Sequence, residues 1–426
     1  MKLNRWIARA RHIRHKRLLA ALVAVGVVAA GALLISSCYW RTPHRRPLEF
    51  DGVPVIRVRV LWPPVSSITV STTGPCTIRP NSRSPAVRSE ALHNRQVRRR
   101  GGLWSLAGCR TAGQTLEIVP EDDHRIALGG VEYRGWIRLI AAGEGFYAVN
   151  TVDLESYLAG VLPKELYSHW SDQTYQAQAI AARTFAKYKM ETFGRKAGRA
   201  YDLTNTQGSQ VYGGASAETD KAWRAVRDTH GKVLAYGLPG GELKLIPAHY
   251  SSCCGGTVNS IRVLRSADDI PPLRGGQRCQ DCRASSRYAW PPVIVSKREL
   301  HRCLALSYRD AAALETLAKI RVLTRTAYGL PIWCELVGPS GRKARVRYND
   351  IRSALQHGRS PAARKLHSMN CRMKDRRTSI EFYDGHGYGH GVGLCQWGAQ
   401  GKAQRGWSAS RILRFYYPGA TIHQAY

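Results

Sequence analysis

Glu165 stands in the run Tyr157-Leu158-Ala159-Gly160-Val161-Leu162-Pro163-Lys164-Glu165-Leu166, a carboxylate among apolar residues at a proline-broken junction, with Trp170 close behind. A carboxyl group so placed loses solvation, its neutral form is favoured, and its pKa rises toward the range a general acid needs. The same spacing suits a surface glutamate at a helix end, and spacing alone favours that plainer role.

A second constellation joins His249-Tyr250-Ser251-Ser252-Cys253-Cys254-Gly255-Gly256 to Cys279-Gln280-Asp281-Cys282. Neutral imidazole with thiolates is a ligand set that Zn2+ prefers, and a Cys-x-x-Cys turn can place both sulfurs on one ion. A closed set of four ligands would be structural. The competing reading is a disulfide, from Cys254 to one of the distal pair or from Cys253 to Cys279, which leaves His249 unexplained. The 11 cysteines are an odd number, so mixed use is expected.

The third is Gly385-His386-Gly387-Tyr388-Gly389-His390-Gly391-Val392-Gly393-Leu394-Cys395-Gln396-Trp397-Gly398. Glycine at alternate positions lets the main chain approach a ligand or another strand closely. No nucleotide-loop register fits. His386 and His390 suit ligands, acid/base groups or satisfied loop histidines, and Tyr388 with Trp397 suits a floor on which sugars stack.

The elements that must hold these groups read as α+β, in two or more packed lobes behind an N-terminal membrane or lipoprotein segment. Residues 1–38 form a signal or anchor: seven of the first 17 residues are basic, an apolar run spans Leu18 to Ile35, and Cys38 ends a box resembling a lipidation site. Positive charge ahead of the run keeps the N-terminus inside and puts the rest outside, so the expected location is extracytoplasmic and membrane-tethered, by lipid or by an uncleaved span. A linker covers 39–54. Residues 55–150 alternate as strands do, with 79–110 read as a basic loop; 151–290 begin with helices at Leu154 to Leu162, capped by Asp153, and at Thr174 to Thr192; 291–426 make a further α+β lobe and a C-terminal segment. The net charge of +34 points to a polyanion, and for an exported chain that means an envelope polymer or lipid head group, with no nucleic acid partner.

Taken in order, the Tyr157 to Leu166 run, Ala177-Gln178-Ala179-Ile180-Ala181-Ala182-Arg183-Thr184, Ser209-Gln210-Val211-Tyr212-Gly213-Gly214, His249 to Gly256, and Gly387 to Gln400 with Phe415-Tyr416-Tyr417-Pro418-Gly419 resemble the stage II sporulation protein D family, or amidase-enhancer domain. The resemblance covers about residues 55 to 422. It implies a lytic transglycosylase acting on peptidoglycan glycan strands, with peptide-stripped strands preferred, or an activator of a cell-wall amidase. It places the family's catalytic glutamate on Glu165 and its structural Zn2+ ligands on His249, Cys254, Cys279 and Cys282, and it suggests Arg183, Gln210, Tyr212, His390 and Gln396 as sugar-binding residues. Departures are Leu166 where the family usually has Met, the Arg-rich 79–110 stretch, and Cys253 beside Cys254.

Overall fold

A computed structural model describes residues 52–80, 86–194, 198–238, 240–264 and 269–426. The leader, Cys38 and most of the linker lie outside the described residues. Among the described residues no helix is long and apolar enough to cross a membrane.

The α+β reading holds: among the described residues eight α-helices pack with several sheets. The N-terminal lobe is two sheets around one core. One orders Leu203–Thr204, Val55–Arg59, Gly145–Asp153, Trp136–Ala142, Thr115–Pro120, Cys76–Arg79 and Val87–Ser89; the other orders Val131–Tyr133, Ile126–Leu128, Ser67–Thr72, Arg95–Arg100, Leu103–Leu106 and Cys109–Ala112. Period-two alternation turns Ile56 and Val58 inward from the first, and Val97 and Trp104 inward from the second. Trp104 meets Phe146 of the opposite sheet at 5.2 Å between ring centroids.

The basic loop expected over 79–110 is corrected. The segment contributes strands, with most arginines of Arg95–Arg100 facing out while Val97 and Arg99 point in. Arg99 is tolerated inside because it donates to the Gly143 carbonyl at 2.6 Å and stacks toward Trp104. Its alternation is carried by charge rather than by apolar residues, so it does not read as a strand.

Helix α1 (Leu154–Glu165) is capped by Asp153, whose Oδ1 accepts from Ser156 N at 2.8 Å. It runs past Pro163, three residues beyond the expected end, and Leu166 N still donates to Leu162 O at 3.0 Å. Pro163 removes one hydrogen bond in the last turn, where the helix is ending anyway. Helix α2 (Asp172–Lys189) follows. Its alanine face lets α1, α3 (Asp220–Asp228) and the sheet strand Lys232–Gly237 approach closely.

The third lobe contains α4 (Lys297–Ala305), α5 (Arg309–Ala312) and α6 (Tyr348–His357) around two three-stranded sheets, with its own core at Leu300, Leu336, Ile351 and Phe382. The chain enters and leaves this lobe through one strand pair, Ala289–Trp290 with Gly385–His386. It then returns to the middle of the molecule, where α7 (Gln396–Gln404) and α8 (Ala409–Tyr416) share a core with Ile246, Val258 and Leu273. The segment from Val392 on thus shares the core of the middle lobe, while the His386 and Gly389 N–H groups still donate to the Asn370 and His367 carbonyls of the third.

Arg183, expected to position a sugar, is instead fully buried on α2. Its Nε and Nη2 donate to both oxygens of Glu155 at 2.7 and 2.6 Å. Burial pushes the Glu155 carboxyl up, but Arg183, Tyr426 and the Gly231 N–H outweigh it and hold the group below its usual range. Replacing Arg183 by Met strands a buried charge and is expected to cost about 3–5 kcal/mol in urea denaturation, with Glu155→Gln in the same chain recovering part of the loss.

Candidate functional site

Glu165 closes α1 at the edge of a cavity of about 1040 Å³. Its carboxyl is half-buried, and three donors converge on it. Val211 N reaches Oε1 at 3.0 Å, Gln396 Nε2 reaches Oε2 at 3.2 Å, and the Tyr250 hydroxyl bonds to it as well. Burial raises the pKa of Glu165, and the three donors oppose the rise without cancelling it. The group therefore stays protonated further up the pH scale than an ordinary glutamate.

Gln210 does not line the cavity. It is 1 % exposed and holds Tyr250, donating to the Tyr250 hydroxyl at 3.0 Å while accepting from Tyr157 at 3.1 Å. It acts on the carboxyl through Tyr250, which corrects its expected contact with sugar. Tyr212 is corrected too: it packs against Tyr157 in the core, with ring centroids 4.9 Å apart, and its hydroxyl donates to Asn150 Oδ1 at 2.9 Å. His390 and Gln396 do line the cavity, as do His249, Tyr388 and Trp170. Tyr167, more than half exposed, stands at the rim with its ring 5.2 Å from Trp170 and 5.8 Å from Trp397, the kind of aromatic surface a sugar face can lie on.

The two cleft histidines are 5.5 Å apart. Burial, with His390 and Lys189 nearby, pushes His249 well below the usual histidine range. Burial beside Arg352 pushes His390 down to about 4. Val392 N donates to His390 Nδ1 at 3.0 Å, which leaves Nε2 as the protonated nitrogen. Both rings are neutral at neutral pH.

The glycine loop explains how these groups meet. Tyr250 and Ser251 pair in parallel with Leu394 and Cys395, and Asn259 bridges Val392. Gly393 has φ +71°, and a Cβ there would stand 2.0 Å from the His249 carbonyl, so the two segments can touch only at glycine.

Behind the cleft, the sulfurs of Cys254, Cys279, Cys282 and Cys395 all lie within 4.8 Å of one another, and all four residues are buried. Cys254 and Cys282 sulfurs are 3.7 Å apart, far beyond a disulfide bond of about 2.05 Å and close to the ~3.8 Å that metal–sulfur bonds of about 2.3 Å give around a tetrahedral ion. The expected ligand set is corrected at one position: Cys395 takes the fourth place, and His249 faces the cleft against Phe185. Cys253 also stands outside, its sulfur toward the Cys282 carbonyl. Burial and the crowding of the other thiols push Cys395 well above the usual thiol range. Asp281, inside the Cys-x-x-Cys turn, is tied to Lys402 of α7 at 2.6 Å, and Arg405 joins the same carboxylate. Gly398 leaves room for Cys279, whose sulfur a Cβ would meet at 2.4 Å.

The opposite wall is α6, which sequence reasoning missed. Its buried face is Tyr348, Ile351 and Leu355, and Asn349, Arg352, Ser353 and Gln356 line the cleft at helical spacing. Those two interleaved stripes were the available signal. Asp350 also lines the cleft but is only 7 % exposed.

Residues 142–236 match the family model described as stage II sporulation protein. An uncharacterised protein of Brachyspira hyodysenteriae is 31 % identical over 72 % of this chain and 76 % of its own. Stage II sporulation protein D of Bacillus amyloliquefaciens is 28 % identical over 66 % of this chain and 76 % of its own. The amidase enhancer of Bacillus subtilis is 27 % identical over 75 % of this chain but only 48 % of its own length.

Ionising Glu165 inside the fold costs stability that its neutral form does not. Its folded pKa lies above the unfolded one, so the chain loses stability as pH rises through that window. Glu165→Gln is therefore expected to raise Tm at pH 7 by an amount on the order of 1 °C. The difference should vanish below the ordinary carboxylate range, where both states are neutral, and calorimetry across pH reads both.

Proposed function

The chain belongs to the stage II sporulation protein D family, and on that premise we propose that it cleaves the glycan strands of peptidoglycan by lytic transglycosylation, with Glu165 as the acid and base. The observation that carries the reading is the half-buried carboxyl at the cleft, held by Val211, Gln396 and Tyr250 with its pKa raised. Protonated Glu165 donates to the glycosidic oxygen between N-acetylmuramic acid and N-acetylglucosamine. The resulting carboxylate takes the proton of the muramoyl 6-hydroxyl, which closes on the anomeric carbon as a 1,6-anhydro ring. The nucleophile belongs to the substrate, so one carboxyl suffices. Asp153 caps α1 and Glu155 is bound by Arg183, which leaves both outside the chemistry.

In this reading the chain works outside the cytoplasm, tethered by its N-terminal segment, on a wall polymer that suits its charge. Digestion of peptide-stripped peptidoglycan by the full chain, followed by mass analysis of the ends, should yield anhydro-muramoyl products. Glu165→Gln should lose at least ~2 kcal/mol of transition-state stabilisation, about 30-fold in rate. Equal product from both chains would end the proposal.

Similarity to the amidase enhancer supports a second reading, a wall-binding activator of an amidase. Stimulation of a cell-wall amidase that survives Glu165→Gln intact, with no anhydro ends formed, would select it.

The four-sulfur cluster fits a structural Zn2+, held by Cys254, Cys279, Cys282 and Cys395, that braces the back of the cleft. Metal analysis of the purified chain should find one zinc per molecule. Cys395→Ser should lower that content and the melting temperature together, whereas His249→Ala should leave the metal in place.

A further inference from the structure

A second concavity, of about 470 Å³, opens off the cleft behind α6. Arg287, Arg352, Arg359, Arg364 and His367 line it, and no acidic residue does. Arg352, Gln356 and Tyr388 line both spaces, so the two are continuous.

Elsewhere in the chain arginines are commonly neutralised: Arg57 by Asp202, Arg134 by Glu218, Arg138 by Glu117, Arg321 by Glu335. Among the described residues none of Arg287, Arg352, Arg359 and Arg364 has a carboxylate partner. Arg352 spends only its Nε, which donates to the Leu366 carbonyl at 2.8 Å and aims the guanidinium. Arg287 Nη1 contacts His367 Nε2 at 2.6 Å. Burial, followed by the charges of Arg287 and Arg352, holds His367 below its usual range. Like charges gathered in one concavity repel one another, and an anion that enters relieves all of them at once.

We propose that this arginine-lined concavity is a carboxylate-binding subsite that takes a lactyl carboxylate of the glycan strand, at a muramic acid residue away from the bond being cut. The proposal rests on the glycan reading given above. On such a strand the lactyl ether of muramic acid supplies the fixed charge, and it is a carboxylate only when no peptide is attached, since the peptide turns it into a neutral amide. Guanidinium groups match a carboxylate in both charge and bidentate shape. Arg352 and Gln356 span the passage from the cleft, so a strand lying against α6 delivers its side group to the concavity.

The test uses the full chain carrying Glu165→Gln, so that binding is read without cleavage. Two probes are compared: a peptide-free glycan tetrasaccharide with free lactyl carboxylates, and the same compound with those groups converted to primary amides. The free carboxylate form should bind about 10-fold more tightly than the amide, with an affinity that falls as salt rises. Arg359→Gln with Arg364→Gln, two exposed positions that leave the melting temperature unchanged, should abolish that difference without altering amide binding. Equal affinity for the two probes in the parent overturns the subsite. So does unchanged discrimination in the double variant, or a loss that is the same for both probes. If the chain with Glu165 intact still releases anhydro ends in any of these cases, the subsite alone has failed. If it releases none and binds neither probe, the glycan reading has failed and the subsite with it.

Discussion

Cys395 and Gln396 are neighbours in the chain, and between them they join the two halves of the site. The thiol of one completes the buried sulfur cluster, and the amide of the other donates to Glu165. The position of the carboxyl's donor is thereby fixed by the cluster one residue away. The same segment is pinned on its other side by pairing with Tyr250 and Ser251, and Tyr250 is itself a donor to Glu165. Movement of this junction would displace two of the three donors together.

The balance at Glu165 is between water withdrawn and hydrogen bonds supplied. Three donors stabilise the anion, yet the loss of solvation is larger. A carboxyl in that state can release a proton to a leaving oxygen and then be held by the same donors as an anion. Its two neutral histidine neighbours add polarity to the cleft without competing as acids.

Much of this was legible in the chain. Asp153 as a cap, the helix along Ala177 to Thr184 and the glycine loop follow from residue type and spacing, whereas the choice of Cys254, Cys279 and Cys282 as a ligand set came with the family resemblance. Long-range pairing was not. Cys395 lies more than a hundred residues from Cys282, and only the parallel pairing of 250–251 with 394–395 brings it to the cluster. His249 looked like a ligand because it sits near Cys254, but its ring packs against Phe185 and His390 in the cleft. Arg183, Gln210 and Tyr212 sit in motifs beside the site and support it from within, since a motif marks a neighbourhood and not which side chains reach its surface. Charge hid Arg95–Arg100 as a strand.

The chain crosses into the third lobe and back through one strand pair, where Trp290 lies over Gly385 so closely that a Cβ at 385 would fall within 2.3 Å of the indole. Arg347 donating to the Leu264 carbonyl, Asn370 donating to the Cys254 carbonyl and the Ser368–Gly389 bridge tie the lobe to the middle of the molecule. The cleft therefore has two walls of separate origin, joined by cross-lobe hydrogen bonds. One wall carries Glu165 with the sulfur cluster behind it, and the other carries α6. Substitutions and insertions within residues 291–380 can reshape one wall of the cleft while the surroundings of Glu165 on the other stay as they are.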